Sequence, residues 1–185
     1  VTNRNKNLDD YLKVSSILPR DDVKKAYDVI SSWPGYKPTP LVELNKIAQF
    51  CGIKSVLFKD ESMRFDLKSF KALGGAYAVA DLVRDFILKG GKVEDYVVTT
   101  ATDGNHGRSV AWGAKLAGCK AKIYIHAHVS KSRETAMQDL GAEVIKINGN
   151  YEASLSACKN DAHKNGWHIV SDTSWEGYTD IPRQV

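Results

Sequence analysis

The chain is poor in cysteine. Its three, Cys51, Cys119 and Cys158, are an odd number without close spacing. That fits reduced thiols in the cytoplasm and argues against a disulfide framework. No apolar run approaches the roughly 20 residues of a membrane span. Residues 1–13 are polar and charged and hold no signal-peptide core. The first residue is Val rather than Met, so a natural N-terminus upstream is expected. Lys and Arg nowhere form a run of five, and the net charge is only +4. A basic stripe for nucleic acid is therefore unsupported, and an anionic small molecule explains the excess equally well. Internal repeats and low-complexity tracts are absent. The expected partner is a small molecule, with neither nucleic acid nor membrane.

What is present is an alternation. The 185 residues are 43% hydrophobic, enough for one core, or for one domain with part of another. Pro19 and Arg20 open a helix through Ile30, with Asp21 as its cap. Residues 33–40 hold three prolines and a glycine and cannot be regular. A short helix is expected over 41–52 and a strand over 55–59. Ser69 should cap a helix running to Leu88. Strands then fall at 96–99, 121–126, 143–147 and 168–171. Helices fall between them at 105–117, 131–140 and 151–164, ended by Gly118, Gly141 and Gly166. Strands alternating with helices of this length specify βαβ units, hence a doubly wound α/β fold on a parallel sheet. Ligands then bind beyond the carboxyl ends of the strands.

Two stretches lie where such a ligand would sit. Ser69-Phe70-Lys71 puts a lysine at a helix start, where the positive helix end favours an uncharged amine. An uncharged amine can form and exchange Schiff bases. Taken alone, Lys71 is equally one solvated lysine among many, with Lys59 and Lys68 nearby. Asp103-Gly104-Asn105-His106-Gly107 is a polar turn opening a helix after a strand. Gly104 and Gly107 allow a planar ligand to approach closely, and Asn105 offers an amide to a ring oxygen. An ordinary Asp/Asn cap explains the turn as well. A lysine facing such a turn suggests pyridoxal phosphate (PLP) chemistry on amino acids. Asp172, ending the last strand, would be a second carboxylate at the same sheet edge, or simply a helix cap. His126 and His128 share a strand face and could ligate a metal, but no third ligand has suitable spacing. Gly74-Gly75 reads as close helix packing. Cys119 and Cys158 sit in apolar contexts and read as inert.

With these residues in view a resemblance is evident. Phe58-Lys59-Asp60-Glu61-Ser62, Ser69-Phe70-Lys71 and Asp103-Gly104-Asn105-His106-Gly107 resemble the fold-type II PLP enzymes, a group with the dehydratases, cysteine synthase and tryptophan synthase β. Within the group, Ala101 through Arg108 and Ser171 through Tyr178 look like the diaminopropionate ammonia-lyases. The dehydratases carry serine where Asp103 stands. The resemblance runs from about Tyr36 onward. It implies elimination of ammonia from D- and L-2,3-diaminopropionate to pyruvate. Lys71 would hold PLP, with Phe70, Gly104 and Asn105 around the cofactor. Asp103 and Asp172 would be bases on opposite faces of the substrate. It further implies a homodimer and three regions. Residues 1–74 would belong to a larger, incomplete PLP domain. Residues 75–174 would form the small α/β domain, and 175–185 would return toward the larger one. The glycine-rich phosphate loop of the family has no counterpart here, so a fragment, inactive alone, is expected. Two alternatives stay open, a serine/threonine dehydratase-like lyase and a non-catalytic α/β binding domain.

Overall fold

The computed structural model describes residues 17–185, and the chain divides into two units, Val1–Tyr36 and Lys37–Val185. In the first, helix α1 (Arg20–Ser31) begins directly after Pro19. Helical geometry thus starts one residue earlier than Asp21, which lies with Asp22 in the first turn instead of capping it. Both carboxylates face the positive end of the helix.

The second unit opens with an antiparallel pair, β1 (Leu41–Glu43) and β2 (Leu57–Lys59), with α2 (Asn45–Phe50) between them. The single helix expected over 41–52 is therefore split. Leu41–Glu43 finds a partner in β2, and the Leu44 N–H donates to the Val56 carbonyl at 2.8 Å. A three-residue apolar run carries no period that separates helix from strand, so the distant partner decides. All residues of both strands are exposed, and Phe50 on α2 is 91% exposed.

A braced loop leads to the next helix. Arg64, buried, donates to the Glu61 carboxylate, to the Thr39 hydroxyl at 2.9 Å and to the Lys37 carbonyl at 3.0 Å. Phe65, Asp66 and Lys68 take positive φ of 48°, 59° and 58°, a conformation that non-glycine residues adopt at a cost of about 1–2 kcal/mol each. Arg108 pins this segment by donating to the Leu67 carbonyl, and Phe65 packs on Trp112 at 4.6 Å. Helix α3 (Lys71–Leu88) follows. The Lys71 N–H donates to Ser69 Oγ at 3.2 Å, so Ser69 does satisfy the helix start as expected.

The main sheet has four parallel strands, β3 (Val97–Ala101), β4 (Lys120–His126), β5 (Glu143–Ile147) and β6 (His168–Ile169), in the order β5-β4-β3-β6. Helices α4 (Asn105–Ala117), α5 (Lys131–Gln138) and α6 (Tyr151–Asn165) connect them. Gly118 and Gly166 end α4 and α6 in the left-handed conformation, with φ of 79° and 69°. His126 is the last residue of β4 and His128 lies in the turn beyond it, so the two do not share a strand face. Among the described residues no group of three His, Cys, Asp or Glu is placed to hold a metal.

Both sheet faces are covered. Val98, Ile123 and Ile125 pack with Val79, Val110 and Met137, while Tyr124 and Ala101 on the other face pack with Cys158 of α6. Each such aliphatic side chain contributes about 1.5–3 kcal/mol by leaving water. α3 and α4 approach closely because glycines line their contact. A Cβ on Gly75 would fall 2.5 Å from Ser109 Oγ, and one on Gly113 would fall 2.7 Å from the Ala76 Cα. The last helix, α7 (Asp180–Gln184), sets Ile181 and Val185 against the first core.

Candidate active site

The chain runs β3, β4, β5 toward one sheet edge and then returns to place β6 on the other side of β3. This reversal opens a crevice at the carboxyl ends of β3 and β6. Each of those ends delivers a carboxylate. After β3, Thr102 Oγ1 accepts from the Gly104 N–H at 3.1 Å and the Gly107 N–H at 3.3 Å, folding Asp103 outward. A Cβ on Gly107 would meet Thr102 Cγ2 at 2.4 Å, so this turn needs glycine there. After β6, the Tyr178 hydroxyl donates to the Ile169 carbonyl at 2.8 Å and accepts from the Ser171 N–H at 3.0 Å. Its ring stacks on Trp175 at 4.0 Å, and the Lys159 ammonium lies 3.8 Å above Trp175. The Trp175–Tyr178 segment thereby braces the strand end that carries Asp172.

The crevice is a cavity of about 380 Å³ whose lining includes Lys71, Asp103, Gly104, Asn105, His106, Arg133, Tyr151 and Asp172. Three of these come together around one oxygen. Lys71 Nζ lies 2.5 Å from Asp172 Oδ2, and His106 Nδ1 lies 3.8 Å from the same atom. Lys71 is aimed there by α3, whose Lys71 carbonyl accepts from Ser109 Oγ at 2.6 Å. Phe70 is 64% exposed and does not line the cavity, so Ser69 and Ser109, rather than Phe70 packing, set the direction of the lysine.

The electrostatics follow from burial and from these neighbours. Burial pushes the Asp172 carboxyl upward, but hydrogen bonding and charge from Lys71, with His106, hold it below its ordinary value. Burial is also the main cause holding the His106 imidazole below its ordinary value. Asp172 and the Val170 carbonyl oppose the shift, and Lys71 adds to it. His106 Nε2 is 2.9 Å from the Val170 carbonyl, which can only accept, so Nε2 carries the proton. Nδ1 then presents a buried lone pair that no group in the chain hydrogen-bonds. Burial raises the Cys119 and Cys158 thiols to about 11, in keeping with inert cysteines.

Of the residues expected from sequence, Lys71, Asp103, Gly104, Asn105 and Asp172 meet in this one cavity. Arg133 and Tyr151 also line it and were not anticipated. Each stands at the start of the helix after β4 or β5, and that position at a strand's carboxyl end was the available signal. The residues suit PLP. A primary amine stands at the wall, Gly104 leaves its face free of a side chain, Asn105 supplies an amide, and the orphaned His106 Nδ1 awaits a donor.

The known proteins agree with this geometry. The model of the pyridoxal-phosphate dependent enzymes matches residues 32–184. Diaminopropionate ammonia-lyase of Escherichia coli is 40% identical over 184 residues, covering 94% of this chain and 46% of that enzyme. The crystal structure of the E. coli enzyme in complex with D-serine matches with a TM-score of 0.84 over 91% of this chain and 46% of that one. The catabolic L-threonine dehydratase of Staphylococcus aureus is 28% identical over 159 residues, 86% of this chain and 43% of the relative. The chain thus spans about half the length of the curated relatives it matches. With its family model, its parallel fold and its lysine facing two carboxylates in accord, the chain belongs to the pyridoxal-phosphate dependent enzymes of fold type II.

Proposed function

We propose that this chain supplies the lysine-bearing half of a lyase that eliminates ammonia from 2,3-diaminopropionate of either hand, yielding pyruvate and ammonia. The observation that carries the reading is the Lys71–Asp172 pair in one cavity with Asp103 and Asn105. Lys71 would hold PLP, with Gly104, Asn105 and Phe70 beside it. Bound PLP supplies an electron sink that acidifies the substrate Cα–H. The rest falls to the chain. Asp172 Oδ2, kept ionised beside Lys71, accepts the proton that the ammonium must lose before its nitrogen can attack a carbonyl. Once Lys71 is engaged, the hydrogen bond and charge that lowered Asp172 are gone, while its burial remains. Asp172 then becomes the stronger base, suited to one face of the substrate. Asp103, on the turn after β3, serves the other. The unpartnered His106 Nδ1 can accept the O–H of protonated Asp172.

We further assign residues 1–74 to a larger domain, 75–174 to a small α/β domain and 175–185 to the return toward the first. Exposure of the apolar side chains of β1 and β2 supports a covering surface beyond the small domain. Three free thiols support a cytoplasmic protein, in which no described helix is long and apolar enough to cross a membrane. We assign it a homodimer, by likeness to the family. The test is pyruvate release from D- and L-2,3-diaminopropionate and from L-serine by the full-length enzyme carrying this sequence with PLP. Turnover of both diaminopropionates well above L-serine supports the reading. The reverse order would favour a dehydratase, to which the S. aureus likeness points.

A further inference from the structure

His126 and His128 are unsuited to a metal, yet His126 is placed with care. It ends β4, and the parallel register pairs Ala101 with Tyr124. Carried two residues on, that register sets Asp103 beside His126. The two side chains do meet, with His126 Nε2 lying 3.0 Å from Asp103 Oδ1. The His128 backbone N–H donates to His126 Nδ1 at 3.2 Å. A neutral imidazole accepts at one nitrogen and carries its proton on the other. The turn after β4 thereby fixes the tautomer, and the proton is on Nε2, facing the carboxylate.

Asp103 needs such a partner. Its side chain is 59% exposed, whereas that of His126 is only 17% exposed and stands at the end of a paired strand. Arg133 Nη1 donates to the Asp103 main-chain carbonyl at 3.0 Å and so fixes the backbone of the turn, not the carboxylate. An exposed carboxylate without a fixed donor samples several rotamers in water, and only some of them reach a substrate Cα proton.

We propose that His126 is the positioning residue of Asp103, its Nε2–H holding the carboxylate toward the cavity while the His128 amide locks the ring. This role rests on the reading of Asp103 as base for one enantiomer. It also predicts that positioning, like the base itself, is specific to one hand, because Asp172 is held by Lys71 and not by His126. A misplacement of about 1 Å costs about 10²-fold in rate. In the full-length holoenzyme, His126→Phe should lower kcat for the enantiomer that Asp103→Asn impairs by about 10–100-fold. The other enantiomer should stay within about 3-fold, a margin far inside that misplacement cost. His126→Gln, whose amide N–H can replace Nε2–H, should restore most of the loss. Equal losses for both enantiomers, or no loss, would overturn the proposal. A readout independent of turnover is the two-bond ¹H–¹⁵N spectrum of the histidine rings. His126 should be the Nε2–H tautomer, and Asp103→Asn should move its Nε2 resonance. A Nδ1–H tautomer would refute the positioning role. If Asp103→Asn spares both enantiomers while the ring keeps its tautomer and responds, the base assignment has failed and the pairing stands.

Discussion

Gly113→Ala separates the packing described here from helix propensity. Gly113 lies inside α4, where alanine is better than glycine by about 1 kcal/mol on propensity alone. Against this, the added Cβ would stand 2.7 Å from the Ala76 Cα, 3.1 Å from its Cβ and 3.2 Å from its carbonyl oxygen. Two of those three atoms are backbone, which cannot rotate aside, so α3 must recede by about 1 Å to restore ordinary contact distances of 3.5–4.0 Å. Overpacking of this kind costs about 1–3 kcal/mol, here at the upper end because nothing flexible yields. The net expectation is a loss of about 1–2 kcal/mol, a fall in Tm of about 2–8 °C for a chain of this size. Lys71 sits at the start of α3, so the same movement should weaken the 2.5 Å Lys71–Asp172 contact and depress turnover. Thermal and urea unfolding of the wild-type and variant chains decide the matter. A rise in Tm would show that propensity wins and that the α3–α4 contact is looser than described.

Asp103→Asn and Asp172→Asn should each remove turnover of one diaminopropionate enantiomer by about 10²–10⁴-fold, and equal loss of both in both variants would reduce the acids to structural roles. Stability should fall as pH drops below about 6.5, because His106 and His168, both lowered by burial, bind protons more readily in the unfolded chain. Asp172, lowered by Lys71, adds a further loss below about pH 3.9. The urea midpoint at pH 5 should lie below that at pH 8, and a His106→Gln, His168→Gln double variant should flatten the difference; an unchanged midpoint would contradict the burial of these rings. Iodoacetamide at pH 8 should label exposed Cys51 of the 185-residue chain first by peptide mass, with Cys119 and Cys158 protected by thiols raised to about 11; early labelling of Cys158 would mean that α6 opens.

The parallel half of the chain was legible because local signals agree there. Glycines 118 and 166 end helices in the left-handed conformation, and apolar strands repeat between them. The turn after β3 could be placed for the same reason, since strand, glycines and helix start are adjacent in sequence. What escaped depends on distance. The split of residues 41–52 is decided by pairing with Leu57–Lys59, and the brace of Arg64 on Glu61 and Thr39 spans up to 25 residues. The Lys71–Asp172 contact joins residues 101 apart, so the sequence could nominate both without showing that they touch. The pairing of Asp103 with His126 was legible only through the β3–β4 register, which puts two separate strand ends level.

Lys71 as the residue that holds PLP is the central claim, and borohydride reduction of the full-length holoenzyme tests it most directly. Reduction fixes the cofactor to its lysine, and digestion followed by mass spectrometry finds the modified peptide. The expected adduct is on Lys71, and Lys71→Ala should abolish both the adduct and turnover while Lys68→Ala retains them. Attachment to Lys68, or to Lys59, whose ammonium here donates to the Thr39 carbonyl at 2.6 Å, would contradict the account.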